Sequence, residues 1–195
     1  MTVGVLALQG DFAEHLRTLC RCGVNAQEVR TVQQLQQVDG LIIPGGESTT
    51  IIKLMQRYGL DAAIRERVQE GMPLYGTCAG LIVMAREIEG YPHQPRLGLL
   101  DVAVARNAFG RQVDSFEMDL LVPRLGIPPI RAVFIRAPYV TRTGDSVEVL
   151  ARIEEKVVLV QQGHLLGSAF HPELTDDLRL HLYFLDMVRR YRQQQ

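Results

Sequence analysis

Short apolar runs, each closed by glycine or a polar turn, set the rhythm of the first half of the chain. Thr2 to Leu8 is almost continuously apolar, as expected of a strand buried on both faces of a parallel sheet. Gln9-Gly10 turns the chain, and Asp11 is the expected N-cap of a helix through Cys20, with Phe12, Leu16, Leu19 and Cys20 on its apolar face. Gly23 ends that helix. Asn25 to Arg30 reads as a weaker second strand and Asp39 to Ile43 as a third. The third runs into Pro44-Gly45-Gly46-Glu47-Ser48-Thr49-Thr50 and then an amphipathic helix through Ile51, Leu54 and Met55, capped by Ser48 or Thr49. A further helix, Asp61 to Glu70, leads by Gly71 to a short strand, Pro73 to Tyr75. After it come Gly76-Thr77-Cys78-Ala79-Gly80 and a helical pattern from Leu81 to Ile88.

Beyond Ile88 the texture changes. Gly90 to Pro95 reads as a loop. Leu97–Ala105, Ser115–Val122, Ala132–Arg136, Val147–Ile153, Val157–Gln161 and His164–Phe170 then follow as strands with little helix between them, and a hairpin is expected across Gln162-Gly163. Leu174 to Gln193 forms a closing helix with an apolar stripe of Leu178, Leu180, Leu182, Phe184, Leu185 and Val188. The expected architecture is α/β and three-layered: a mostly parallel central sheet with helices on both faces, plus antiparallel strands in the C-terminal half. One domain is expected over residues 1–195, with no repeat, low-complexity tract or linker.

Charge and composition narrow the class. A net charge of −1 gives no electrostatic footprint for nucleic acid or an anionic membrane surface. The Arg189-Arg190-Tyr191-Arg192 cluster suits the C-terminal end of a helix dipole. Three cysteines are too few for a disulfide framework, which points to a reducing cytoplasm. The apolar opening is too brief, and lacks the basic flank, for a signal peptide. No apolar run approaches the ~20 residues of a membrane span. Cys20 and Cys22 with His15 have no second ligand pair at a zinc spacing, so no metal is expected.

Candidate chemistry gathers at the Cys78 turn. Strand, Gly-Thr-Cys-Ala-Gly and helix make a nucleophile elbow with Cys in the place of Ser. The flanking glycines remove side chains from a tight turn, and the N-terminus of the following helix favours a thiolate. A buried, unreactive Cys at a strand end is the blander alternative. The Gly45–Gly46 loop is not a Walker A, because the Gly-Lys-Ser/Thr ending is missing. It is either a plain strand-to-helix turn or an oxyanion hole, with Gly45, Gly46 and the Ala79 N–H as donors. Of five histidines, His15, His93, His164 and His181 sit on an early helix, a loop, a turn and the final helix. His171 ends an apolar strand and is followed by Pro172 and Glu173. Pro172 keeps the link extended, so residues 171 and 173 point the same way, and Glu173 can orient the imidazole that serves Cys78. A surface His-Pro-Glu turn is the alternative for that stretch. Together these features imply acyl transfer through a thioester.

Gly76-Thr77-Cys78-Ala79-Gly80 with Phe170-His171-Pro172-Glu173 resembles the class I (triad) glutamine amidotransferases. Within them, Leu8-Gln9-Gly10, Pro44 to Thr50, Arg106-Asn107-Ala108-Phe109-Gly110-Arg111-Gln112, Phe134-Ile135-Arg136-Ala137-Pro138 and Phe170 to Leu174 are similar to the branch that serves pyridoxal 5′-phosphate synthases as glutaminase subunits. Ala108 stands where that branch usually has Ser. The resemblance implies hydrolysis of L-glutamine to glutamate and ammonia with no cofactor. It implies Gly46, Glu47, Ser48, Arg106, Ile135 and Arg136 at the glutamine site, where an Arg fork suits a carboxylate. It also implies a barrel-shaped synthase subunit as partner, in an assembly of twelve plus twelve. Another Cys-elbow amidase or peptidase, or a non-catalytic regulatory module on the same fold, remains the alternative at this point.

Overall fold

The computed structural model describes residues 1–109 and 115–194. The chain opens as a parallel alternation. Strands β1 (Thr2–Leu6), β2 (Asn25–Val29), β3 (Gly40–Ile43) and β4 (Leu74–Thr77) are separated by helices α1 (Phe12–Arg21), α2 (Val32–Leu35), α3 (Ser48–Arg57) and α4 (Leu60–Gln69). The elbow helix α5 (Ala79–Met84) follows. Then come β5 (Ala85–Ile88), β6 (Leu100–Ala105), β7 (Ser115–Leu120), β8 (Ile130–Ile135), β9 (Tyr139–Thr143), β10 (Glu148–Ile153), β11 (Lys156–Gln162), β12 (Leu165–Ser168) and the closing helix α6 (Arg179–Arg192).

Among the described residues the main sheet has ten strands, in the order β2-β1-β3-β4-β12-β11-β9-β6-β5, with β10 paired to β11 off this path. From β2 to β12 every pairing is parallel; β11 pairs antiparallel with β12, β10 and β9, and β9 antiparallel with β6. Right-handed crossovers put α1 on one face and α2 to α4 on the other. α6 joins α1, as the His15–His181 contact records, and α5 packs on α3. This is the expected three-layer α/β architecture. The expected hairpin across Gln162-Gly163 is β11–β12.

Several boundaries differ from the reading of the sequence, each for a local reason. The helix expected over 81–88 stops at Met84, because Ala85 turns extended (φ −61°, ψ 148°) and Ala85 to Ile88 pair with β6. Over four residues the two periodicities are hard to tell apart. The closing helix begins at Arg179, after a 3-10 turn at Pro172–Leu174. Of its stripe, Leu182 is exposed while Leu180, Phe184, Leu185 and Val188 are buried. In α1 the buried face is His15, Thr18 and Leu19, and Cys20 is exposed. Glu47, rather than Ser48 or Thr49, caps α3, its carboxylate accepting from the Thr49 N–H. The capping box of Thr31 and Gln34 starts the short α2, and β9 fills the sheet between β11 and β6.

The elbow is held by backbone-on-backbone packing. A Cβ on Gly80 would sit 2.1 Å from the Ile43 carbonyl oxygen, and one on Gly76 would sit 2.5 Å from the Gly80 carbonyl carbon. Only glycine lets β3, β4 and α5 approach this closely. Gly80→Ala is therefore expected to destabilise the fold by about 1–3 kcal/mol, read as a lowered urea midpoint; an unchanged midpoint contradicts this packing.

Candidate active site

Thr77 ends β4 and Ala79 begins α5, so Cys78 alone makes the corner, at φ 49° and ψ −103°. A non-glycine residue there carries backbone strain, which neighbouring structure must hold. That hold comes from the next strand. β12 runs parallel to β4 with Ser168 opposite Thr77, and the Cys78 N–H donates to the Ser168 carbonyl at 2.8 Å. Three residues beyond Ser168 the chain reaches His171. Its N–H donates to the Val133 carbonyl of β8 at 2.8 Å. Its Nδ1 lies 2.6 Å from Glu173 Oε1. With Nδ1 engaged, Nε2 is the nitrogen left for the sulfur. Cys78 Sγ lies 3.8 Å from the Ile135 carbonyl oxygen.

Cys78, Ala79 and His171 line one cavity of about 380 Å³ together with Gly46, Glu47, Ser48, Arg106, Ile135 and Arg136. The remaining expected site residues lie just behind it. Glu173 is buried under the imidazole, and Gly45 packs so closely that a Cβ would sit 2.4 Å from His171 Cε1. The Gly45 carbonyl accepts from the Asp11 N–H at 3.0 Å. A second cavity, of about 340 Å³, is lined by Glu70, His164, Arg190 and Tyr191 among others and contains no cysteine.

The polar wall of the first cavity is braced. Arg106 donates to Gln94 Oε1 at 2.7 Å, lies 3.6 Å from Glu47 Oε1 and stacks 4.6 Å over the Tyr91 ring. Gln94 in turn donates to Ser48 Oγ at 3.0 Å. Hydrogen bonding from Thr49 holds the Glu47 carboxyl below its usual range, helped by Arg106 and Arg136, so the wall carries both signs at neutral pH. Five lining residues have no site role in the sequence reading: Gln9, Gly10, Asp11, Ile82 and Asn107. Gln9 accepts from the Glu47 N–H at 2.8 Å, and Asp11 Oδ2 lies 3.8 Å from His171 Nδ1. Both follow the carboxyl end of β1, the edge where open α/β sheets bind ligands, and that position is the available signal. Asp11 begins α1 as expected, but its side chain makes no cap. The Gly110-Arg111-Gln112 part of the arginine-asparagine motif lies outside the described residues. Asp11, His171 and Glu173 offer ligand atoms within 4.8 Å of one another. His171 Nδ1 is already bonded to Glu173, and the group is part of the Cys78 site.

Burial lowers the His171 pKa, but the Cys78 sulfur and then the Glu173 carboxylate outweigh it and raise it to about 10. Burial pushes the Glu173 carboxyl up, against the pull of the imidazole. The ring thus holds its proton at neutral pH and is ready to donate. Stability linked to that proton is fully present below the ordinary imidazole pKa of about 6.5 and is lost as pH climbs through about 10. In a proton NMR titration His171 is expected to titrate near pH 10 in the parent and lower in Cys78→Ala; an ordinary imidazole value in the parent contradicts the pairing.

Among the described residues no helix is long and apolar enough to cross a membrane. Residues 5–190 match the model of the SNO glutamine amidotransferase family. The pyridoxal 5′-phosphate synthase subunit PdxT of a Thermus thermophilus strain is 62% identical over 187 residues, 95% of this chain and 97% of that protein. The PdxT of Carboxydothermus hydrogenoformans is 56% identical over 188 residues, 96% and 98% of the two chains. A crystal structure described as a glutamine amidotransferase superimposes with a TM-score of 0.92 at 57% identity, covering 96% of this chain and 98% of that one. A cysteine elbow beside a histidine–glutamate pair, on this sheet and with these relatives, makes the chain a member of the SNO glutamine amidotransferase family.

Proposed function

We propose that this chain is the glutamine-hydrolysing subunit of a pyridoxal 5′-phosphate synthase, working through a Cys78 thioester with His171 as proton carrier and Glu173 as its orienter. The observation that carries the reading is the parallel pairing of β4 with β12, with Cys78 and His171 on the wall of one cavity. The family's description as glutamine amidotransferases supports the choice of glutamine, and the relatives' names support the synthase partner.

The reaction follows from charge and proton accounting. The Cys78 sulfur attacks the side-chain carbonyl carbon of glutamine, and the carbonyl π electrons move onto oxygen. Ala79 and the Gly45–Gly46 loop donate backbone N–H groups to that oxyanion. His171 passes its proton to the leaving nitrogen, the C–N bond breaks, and ammonia departs from a thioester. Water then gives a proton to His171, attacks the thioester carbon and releases glutamate with the sulfur restored. At the other end of the substrate, Arg106 and Arg136 suit the α-carboxylate, and the Glu47 carboxylate suits the α-ammonium. Gly46, Ser48 and Ile135 complete that wall.

Ammonia set free in water at neutral pH becomes ammonium and loses its nucleophilic lone pair, which favours direct hand-over to a synthase subunit. A twelve-plus-twelve assembly with a barrel-shaped synthase is the partner arrangement in this reading, in the cytoplasm and without cofactor, metal, nucleic acid or membrane. The Asp11 N–H bond to the Gly45 carbonyl is the contact that a turnover of the Gly45–Gly46 peptide would break. Docking of the synthase subunit resets the oxyanion loop by this route.

Glutamate formation from L-glutamine decides the matter. Cys78→Ala is expected to lower turnover by about 10⁴-fold or more, and adding the synthase subunit is expected to raise the parent's rate. Undiminished turnover in Cys78→Ala rules out the thioester. Equal rates with and without the synthase rule out loop resetting.

A further inference from the structure

Beneath the triad, four elements bring a second polar cluster together. His15 on α1 and His181 on α6 are fully buried. His15 Nδ1 lies 3.0 Å from His181 Nε2. His15 Nε2 lies 3.1 Å from Thr77 Oγ1, at the end of β4, and 3.4 Å from Glu173 Oε2. Among the described residues neither Glu173 Oε2 nor His181 Nδ1 has a hydrogen-bond partner, although both are buried.

Proton counting selects one arrangement of this cluster. Burial, the neighbouring His181 and then His171 hold His15 well below the usual imidazole pKa, and burial brings His181 down to about 4, so both rings are neutral and carry one N–H each. If His15 carried its proton on Nδ1, donating to His181 Nε2, two costs would follow. The His181 N–H would be forced onto Nδ1, a buried donor with no acceptor among the described residues, and the lone pair of His15 Nε2, even with the Thr77 O–H donating to it, would lie beside the Glu173 carboxylate. With the proton on His15 Nε2, His181 Nε2–H donates to His15 Nδ1, and the orphan His181 Nδ1 is only an unprotonated acceptor. The His15 N–H then donates to Thr77 Oγ1 and lies beside the bare Glu173 oxygen, 3.4 Å from Nε2. Both costs vanish together.

We propose that His15 is a positioning residue of the triad: its Nε2–H, fixed by His181, steadies the Oε2 side of Glu173 so that Oε1 keeps hold of His171. This inference rests on the reading of Cys78, His171 and Glu173 as the glutamine-cleaving group. His15 does not line the cavity and acts only through Glu173. Without its N–H, the buried carboxyl takes up a proton or turns, and the imidazole loses its orienter.

Substitutions separate the two ring nitrogens. A glutamine side chain sets an amide N–H near the position of Nε2, and an asparagine sets one near Nδ1. In complex with the synthase subunit, His15→Gln is expected to keep most of the parent's kcat. His15→Asn is expected to lose about 10- to 100-fold in kcat, with KM for glutamine unchanged. Thermal unfolding of both variants identifies any loss that merely follows stability. Equal kcat for the two variants overturns the proposal. A measurement on the unsubstituted protein stands beside it: imidazole ¹⁵N shifts are expected to show His15 protonated on Nε2, and an Nδ1–H ring overturns the proposal whether or not the variants fold. A parent that forms no glutamate overturns the glutaminase reading instead, and the ¹⁵N shifts still judge His15.

Discussion

Two parallel strands lying side by side are the constraint on which everything else in this molecule depends. Ser168 of β12 faces Thr77 of β4, and the carbonyl of Ser168 takes the N–H of Cys78. That hydrogen bond helps to hold a strained corner in place. The same register brings the chain beyond β12 out at the same sheet edge, so a histidine far along the sequence arrives next to the sulfur. Side chains alternate along β4. Tyr75 and Thr77 face the α1–α6 layer, where Tyr75 meets Ser168 and Thr77 meets His15, while Gly76 packs against Gly80 and Met84 on the other side. One short strand thus presents an aromatic core contact, a polar contact to the buried histidines and a flat surface for the elbow helix.

Buried polarity in this fold is concentrated rather than scattered. Among the described residues the fully or nearly buried polar side chains include His15, Thr77, Ser168, His171, Glu173 and His181, all at or beneath the Cys78 corner. Each one costs desolvation unless it is paired, so such a cluster persists only where its members satisfy one another. Strain follows the same geography. Of the four non-glycine residues with positive φ among the described residues, three, Cys78, Asn107 and Arg136, line the first cavity. Rigid neighbours hold these conformations in place, which fits a site prepared in advance.

How much of this is legible in the sequence varies with the range of the interaction. Gly76, Cys78 and Gly80 announce a strand–corner–helix because their spacing is a local pattern, and His171-Pro172-Glu173 announces an oriented imidazole, although Pro172 to Leu174 form a 3-10 turn and not the extended link expected. The parallel half of the sheet is readable from its apolar runs. Elements whose pattern is diluted by polar residues are not: Tyr139 to Thr143 alternates weakly after Pro138, yet β9 sits inside the sheet. Ala85 to Ile88 reads as a continuing helix because it is too short to reveal its period. His15 reads as one residue of an amphipathic helix. What sets it apart is His181, 166 positions away, and no local pattern reports such a pairing. Asp11 likewise reads as a cap because its spacing is right, whereas tertiary proximity draws its carboxylate toward His171.

The β7–β8 ribbon stands outside the main sheet, and its pairing runs from Ser115 opposite Ile135 to Leu120 opposite Ile130. It nevertheless carries the Val133 carbonyl that anchors the backbone of His171 and the Ile135 carbonyl beside the Cys78 sulfur. Sulfur and imidazole are therefore moored to the same outlying ribbon, two residues apart on one strand. Displacing that ribbon would carry both mooring points together, so the spacing between them is better protected than the position of either.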